Sequence, residues 1–97
     1  MIIIPNKKQI VSDLLLTEVT NQFNQYLKEN INTPVEFDYS GTSYNLVLSL
    51  PKLAENAKIF TVTAIGKEVR IDQHYTKFDG SSDLYKTLIT FLKQRVN

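Results

Sequence analysis

The chain has 97 residues, of which 42% are hydrophobic, and this size and composition are typical of one small folded domain. Its 11 basic and 10 acidic side chains nearly balance, which argues against a strongly basic nucleic-acid-binding module. Cysteine is absent, so the chain has no disulfide, thiolate metal site or cysteine nucleophile, and we expect residues 1–97 to form a single α+β domain.

The first segment, Met1–Ile4, is apolar and is followed by Pro5. Its isoleucines Ile2, Ile3 and Ile4 either pair as an edge strand that completes a sheet or stay exposed and promote self-association. The segment carries no basic residue of the kind that begins a secretory signal, and its apolar run is far shorter than the roughly 20 residues of a membrane span. We therefore expect a cytoplasmic protein that does not enter a membrane.

A long amphipathic helix is predicted from about Lys7 to Asn30, with Asn6 as its N-cap. The segment that follows this helix ends in Pro34, which prevents its continuation. The apolar side chains that recur at helical spacing are Leu15, Leu16, Val19, Phe23, Tyr26 and Leu27.

Two β-hairpins are predicted from the dipeptides Gly41-Thr42 and Gly66-Lys67, because a two-residue type II′ turn needs a positive φ at its first central position. The pairs that these turns imply join apolar residues on one face of each hairpin. They are Tyr39 with Tyr44, Phe37 with Leu46 and Val35 with Leu48 in the first hairpin, and Ala64 with Val69 and Val62 with Ile71 in the second.

A second amphipathic helix is predicted near the end of the sequence, capped by Ser81 or Ser82 and continuing to Val96. The predicted order of elements is therefore α-β-β-β-β-α. Two helices with one apolar side each can cover one apolar face of a sheet, which predicts a four-stranded antiparallel sheet with both helices packed on one face. The opposite face, which we call the open face, would then meet solvent.

The predicted open face carries mixed charge, threonines and a few aliphatic side chains. Because of the register of the second hairpin, Thr63 is expected opposite Arg70, and Thr61 opposite Asp72. Such a face is either an ordinary solvated surface or a binding surface. Its aliphatic residues are Val47, Ile59 and Ile65, and the candidate binding residues are Thr61, Thr63, Arg70, Asp72, Glu36, Asp38 and Asn45.

Four residues of the same face, Glu36, Asp38, Asp72 and His74, are of the types that bind metal ions. Carboxylates two residues apart on a strand are common by chance, so we expect no metal or other cofactor. His74 is the only histidine, and no serine or aspartate spacing in the sequence marks a catalytic triad. The three glycines fall at turns and form no phosphate-binding motif, so we predict no catalytic residue.

Basic residues are concentrated in the second half of the sequence, which favours nucleic-acid binding as an alternative function. Tyr75 and Phe78, on either side of Lys77, are the candidates for base stacking, and the other interpretation is that these rings anchor a loop to the core. The basic residues concerned are Lys58, Lys67, Arg70, Lys77, Lys86, Lys93 and Arg95.

The leading functional hypothesis is a non-enzymatic interaction module that binds a protein partner through its open face or through an edge strand. Nucleic-acid binding is the alternative, and a small metal-dependent or acid–base enzyme is the third hypothesis. The frequent use of isoleucine, lysine and asparagine is typical of low-GC bacteria and their phages or plasmids. In that setting, we expect an accessory or regulatory factor.

Overall fold

A computed structural model describes residues 1–53 and 57–96, which form five strands and two helices. In chain order the elements are β1 (Ile2–Pro5), α1 (Ser12–Ile31), β2 (Asp38–Gly41), β3 (Asn45–Ser49), β4 (Lys58–Ile65), β5 (Glu68–Gln73) and α2 (Ser81–Lys93). All neighbouring strands are antiparallel, in the order β1-β5-β4-β3-β2. The antiparallel α+β fold is thus confirmed, but the prediction of four strands is wrong because the apolar start of the sequence adds a fifth.

β1 lies beside β5 at one edge of the sheet, so its isoleucines complete the sheet. Ile4 points into the core and is 3% exposed, whereas Ile3 points to the other face and is 47% exposed. The backbone N–H of Asn6 donates to the Lys67 carbonyl at 2.7 Å. By alternation this places Pro5 on the free edge, where its missing N–H leaves no ladder bond unmade. Because part of β1 is exposed, self-association through it stays a prediction.

α1 begins at Ser12, later than predicted, and its N-cap residue makes no side-chain hydrogen bond. Residues 6–11 instead run along the turn between β4 and β5, where the Ile10 N–H donates to the Gly66 carbonyl at 2.7 Å. The predicted helix cap at Asn6 is wrong because the backbone of Asn6 continues the pairing of β1 with β5.

The second hairpin, formed by β4 and β5, has the predicted register, with Ala64 opposite Val69 and Val62 opposite Ile71. Gly66 has a φ of +63°, as the predicted turn requires. The paired side chains of this hairpin, from Phe60 to Ile65 and from Glu68 to Gln73, therefore lie on the faces that the sequence indicated.

The first hairpin, formed by β2 and β3, has a longer turn than predicted, and Tyr39 lies opposite Leu48 instead of Tyr44. The Thr42 hydroxyl accepts from the backbone N–H groups of Tyr44 and Asn45 at 3.3 Å each, which holds the additional turn residues in place. The pairs predicted for this hairpin are therefore wrong. Because the register differs by an even number of residues, the paired side chains of β2 and β3 still lie on the faces predicted for them, whereas Tyr44 lies in the turn and is exposed.

Ile59, which was expected on the open face, is fully buried. The ladder between β3 and β4 shifts register after Leu48, which pairs with Phe60, whereas Ser49 pairs with Lys58. Ile59 is therefore the extra residue of a β-bulge, and the bulge directs its side chain into the core.

One connected core fills the space between the two helices and the face of the sheet that they cover. Phe23 of α1 meets Phe91 of α2 edge-on with ring centroids 5.3 Å apart, and Phe60 of β4 stacks on Tyr85 of α2 at 5.7 Å. Other fully buried members of the core are Val19, Leu27, Leu48, Val62, Val69, Ile71, Leu88 and Leu92. Within the described residues, no helix is long and apolar enough to cross a membrane.

α2 begins at Ser81, and its N-cap is Gly80, which has a φ of +86°. The Ser81 hydroxyl donates to the Thr76 carbonyl at 3.0 Å and so fastens the loop that precedes the helix. The predicted serine cap is therefore wrong, because the hydroxyl bonds the loop and not the first turn.

Candidate functional site

The open face of the sheet, opposite the helices, is built from alternate residues of the strands. Ile3 of β1, Arg70 of β5, Thr63 of β4 and Asn45 of β3 lie side by side in one row across it. Neighbouring strands are about 4.8 Å apart, so this row is about 14 Å long. Three of the predicted binding residues therefore share a row with Ile3.

A second row lies next to the first and contains Asp72 of β5, Thr61 of β4 and Val47 of β3. The predicted oppositions of Thr63 with Arg70 and of Thr61 with Asp72 are confirmed. The two rows are two residues apart along each strand, roughly 7 Å, so their side chains form one continuous surface.

Hydrogen bonds hold the threonines of this surface in place. The Thr63 hydroxyl donates to Oδ1 of Asn45 at 2.7 Å. The Thr61 hydroxyl and Nε2 of His74 share a hydrogen bond that is also 2.7 Å long. A partner would therefore meet side chains that are already ordered, which lowers the entropy lost on binding.

Arg70 keeps hydrogen-bond donors that are free. Its Nε donates to Oε2 of Glu68 at 2.7 Å, and this bond together with the carboxylate charge raises the pKa of the guanidinium. Its two terminal nitrogens have no hydrogen-bond partner among the described residues, and the charge of Asp72 also acts on the guanidinium. A guanidinium that is held at Nε and free at its fork is suited to bind a carboxylate or a backbone carbonyl.

Exposed aliphatic side chains flank Arg70. Ile3 is 47% exposed and Ile65 is 56% exposed, and Ile65 lies opposite Glu68. Thr63, Ile65, Glu68 and Arg70 line a shallow depression of about 130 Å³. The surface thus combines an ordered cation with apolar area that is accessible to a partner.

Two of the predicted binding residues lie away from these rows. Asp38 is in β2 at the far edge of the sheet, opposite Ser49. Glu36 precedes β2, and its carboxylate is 2.9 Å from Nζ of Lys28 in α1. The hydrogen bond and the charge of Lys28 lower the pKa of Glu36, and they hold this side chain toward α1 instead of the central rows.

The four side chains considered as metal ligands are not brought together. Asp72 is in β5 and Asp38 is in β2, and the two intervening strands place them about 14 Å apart. His74 is bonded to Thr61. In the part of the chain that the structure describes, no three His, Asp or Glu side chains are grouped to hold a metal ion.

Tyr75 and Phe78, the candidates for base stacking, stack on each other. Their ring centroids are 6.0 Å apart with an interplanar angle of 10°, and both rings are half-buried against the core. This is the loop-anchoring arrangement, in which each ring covers one face of the other.

Ile3 is the member of the surface that sequence reasoning missed. The alternation of Ile2, Ile3 and Ile4 is compatible with a strand, but it does not indicate that β5 is the neighbouring strand. Only that pairing places Ile3 beside Arg70.

Comparison of the chain with protein-family models, with curated proteins and with solved structures found no match.

Proposed function

We propose that the protein is a small, non-enzymatic interaction module that binds a protein partner through its open face. The observation that supports this proposal best is the free fork of Arg70 between the exposed side chains of Ile3 and Ile65. Within the same proposal, the protein acts in the cytoplasm as an accessory or regulatory factor of a bacterium or of its mobile elements.

The chemistry of the surface indicates the kind of partner. Arginine is enriched at the centres of protein interfaces, where it bonds the partner and its stem packs on apolar groups. Aliphatic side chains on both sides of Arg70 would exclude water from such a bond and strengthen it. The partner is therefore expected to present a carboxylate or an exposed carbonyl that is bordered by apolar side chains.

The test compares two double variants in an affinity purification of the tagged protein from its native cells. Thr63→Ala with Arg70→Ala removes the centre of the open face. Lys86→Ala with Thr90→Ala is the matched control, because it also removes one cation and one threonine, in this case from the exposed side of α2. Urea denaturation of both variants establishes that each is folded.

We expect a protein that is captured by the wild type and by the control but lost from the open-face variant. With that partner purified, isothermal titration calorimetry should show at least a tenfold weaker Kd for the open-face variant, about 1.4 kcal/mol. Equal affinity of the folded open-face variant and the control would disprove binding through this face.

A further inference from the structure

The free edge of β2 is a second surface with unused hydrogen-bonding groups. The Thr42 N–H donates to the Asn45 carbonyl at 2.8 Å, so the backbone groups of Thr42 and, by alternation, of Ser40 point toward β3. Those of Tyr39, and of Gly41 in the same register, therefore point away from the sheet. Within the described residues these groups have no hydrogen-bond partner.

Just before β2, the outward-facing backbone groups of the same edge are covered, and Asn24 of α1 supplies their hydrogen bonds. Phe37 lies two residues before Tyr39 and points its backbone groups in the same direction. Its N–H donates to Oδ1 of Asn24 at 2.9 Å, and its carbonyl accepts from Nδ2 of Asn24 at 3.1 Å. One side-chain amide thus supplies both of the bonds that a neighbouring strand would make, and this cover ends before Tyr39.

A groove of about 250 Å³ lies between the uncovered part of this edge and α1. One wall is the edge of β2, and the other is formed by polar side chains of α1. Two nearly buried leucines form the apolar part of the groove. The side chains that line it from α1 and β3 are Asp13, Leu16, Thr17, Thr20 and Leu46.

Asp13 gives the groove a negative charge. It is the one charged residue that lines the groove, its side chain is exposed, and it forms no ion pair with any described residue. A strand that entered the groove with a basic side chain would neutralise this carboxylate.

We propose that this groove binds an extended peptide segment of a partner protein and that the segment carries a basic residue. The peptide adds to β2 as a sixth strand, bonds the backbone of Tyr39 and Gly41, and directs its basic side chain to Asp13. An alternate side chain of the same strand packs on Leu16. β2 is about 13 Å long, so about four peptide residues fit in register.

This inference goes beyond the open-face function because the groove lies on the helix side of the sheet and shares no residue with the two central rows. The two sites are therefore separable by mutation. A second copy of the chain is the competing occupant of a free edge, and it is detected as a dimer by sedimentation velocity.

The probe is a phage-displayed library of random octapeptides selected on the immobilised protein, followed by synthesis of the enriched peptides and fluorescence titration. Thr17→Arg fills the groove with a bulky cation, and Asp13→Asn removes its charge. Gln25→Arg is the matched control for Thr17→Arg, because Gln25 is exposed on α1 but does not line the groove. The open-face variant, Thr63→Ala with Arg70→Ala, serves as the second control.

We expect enriched peptides that contain lysine or arginine. Thr17→Arg should weaken their binding at least tenfold and Asp13→Asn severalfold, whereas Gln25→Arg and the open-face variant should bind as the wild type does. Hydrogen exchange of the Tyr39 amide should slow in the complex. The proposal is overturned if no peptide is enriched, if the peptides bind folded Thr17→Arg and Asp13→Asn unchanged, or if the edge is occupied by a second copy.

Discussion

Gly41 has a steric role that the other two glycines do not share. Gly41, Gly66 and Gly80 all have positive φ, at +145°, +63° and +86°. A Cβ atom on Gly66 or Gly80 would meet open space, whereas on Gly41 it would overlap the backbone carbonyl of Asn45. That carbonyl accepts the Thr42 N–H that closes the turn between β2 and β3, so the backbone there has little freedom to move.

Gly41→Ala is therefore expected to lower the free energy of unfolding by about 2–4 kcal/mol, from backbone strain together with the overlap. Gly66→Ala adds strain without overlap and should cost about 1–2 kcal/mol. Urea denaturation measures both values. Equal losses in the two variants would show that the close approach to Asn45 has no energetic weight.

Tyr39 couples the edge of β2 to α1 through its hydroxyl, which donates to Oδ1 of Asn24 at 2.9 Å. Burial raises the pKa of the Tyr39 phenol above its ordinary value of 10.0, and only the protonated phenol can donate the hydrogen bond to Oδ1 of Asn24. The folded state therefore favours the protonated phenol. Its contribution to stability is complete below pH 10 and is lost as the pH rises above that value, because the unfolded phenol then ionises.

Between about pH 9 and pH 11.5, the wild type should accordingly lose stability more steeply than Tyr39→Phe. At pH 7 the same variant should be less stable by about 1 kcal/mol, because it lacks one hydrogen bond. Urea denaturation across this pH range makes the comparison, with Tyr44→Phe as the control for an exposed phenol. Parallel pH profiles for wild type and Tyr39→Phe would contradict the assignment.

At the scale of the elements, β1 has one side chain in the core and one on the open face. Ile4 is 3% exposed and Ile3 is 47% exposed. We expect Ile4→Ala to cost about 2–4 kcal/mol of unfolding free energy, and Ile3→Ala less than about 1 kcal/mol. Thermal or urea denaturation of the two variants tests the pairing of β1 with β5. If β1 did not pair with the sheet, the two variants would lose equal amounts of unfolding free energy.

Self-association through β1 is a separate prediction about the same element. Met1 is 73% exposed and lies next to the free edge, where Pro5 offers no N–H to a second strand. We therefore expect weak association that rises with concentration in sedimentation velocity. Ile3→Lys should abolish it, and Val11→Lys, on an exposed aliphatic residue outside the sheet, should leave it unchanged.

The elements differ in how far local residues determine them. The β4–β5 register followed from the sequence because the two-residue turn at Gly66 and the apolar alternation agree. The β2–β3 register did not, because the Thr42 hydroxyl stabilises a longer turn that the Gly41-Thr42 dipeptide does not reveal. The start of α1 was misplaced because Asn6, a favourable cap residue, pairs with the distant Lys67.

At the scale of the whole molecule, the order of the strands in the sheet decides which surface residues become neighbours, and the sequence does not reveal that order. Alternation placed Thr61, Thr63, Arg70 and Asp72 on one face, and their neighbourhood was predictable because they belong to one hairpin. Asp38 shares that face but is separated from β5 by two intervening strands. The distance between two such residues depends on the pairing of strands that are far apart in the sequence, and no local pattern encodes that pairing. The groove beside β2 depends on the same strand pairing.

The distribution of cations over the molecule bears on the alternative function, nucleic-acid binding. Arg70 is paired with Glu68. Nε of Arg95 is 2.9 Å from Oε2 of Glu18, so these two charges also form an ion pair, although the Nε–H of Arg95 does not point at that oxygen. Lys58 is on the sheet, whereas Lys86 and Lys93 are on α2 in the other layer, so the basic residues of the second half do not share one surface.

We therefore expect no binding of fluorescently labelled single-stranded or duplex oligonucleotides at about 50 mM salt, because non-specific affinity requires several cations that contact successive phosphates. Fluorescence anisotropy up to about 100 μM protein measures it, in the range where weak non-specific binding is detected. Saturable binding that weakens steeply toward about 200 mM salt would instead favour the nucleic-acid function. Lys86→Glu with Lys93→Glu would then locate the contact, since loss of binding would assign it to α2 and retained binding to the sheet.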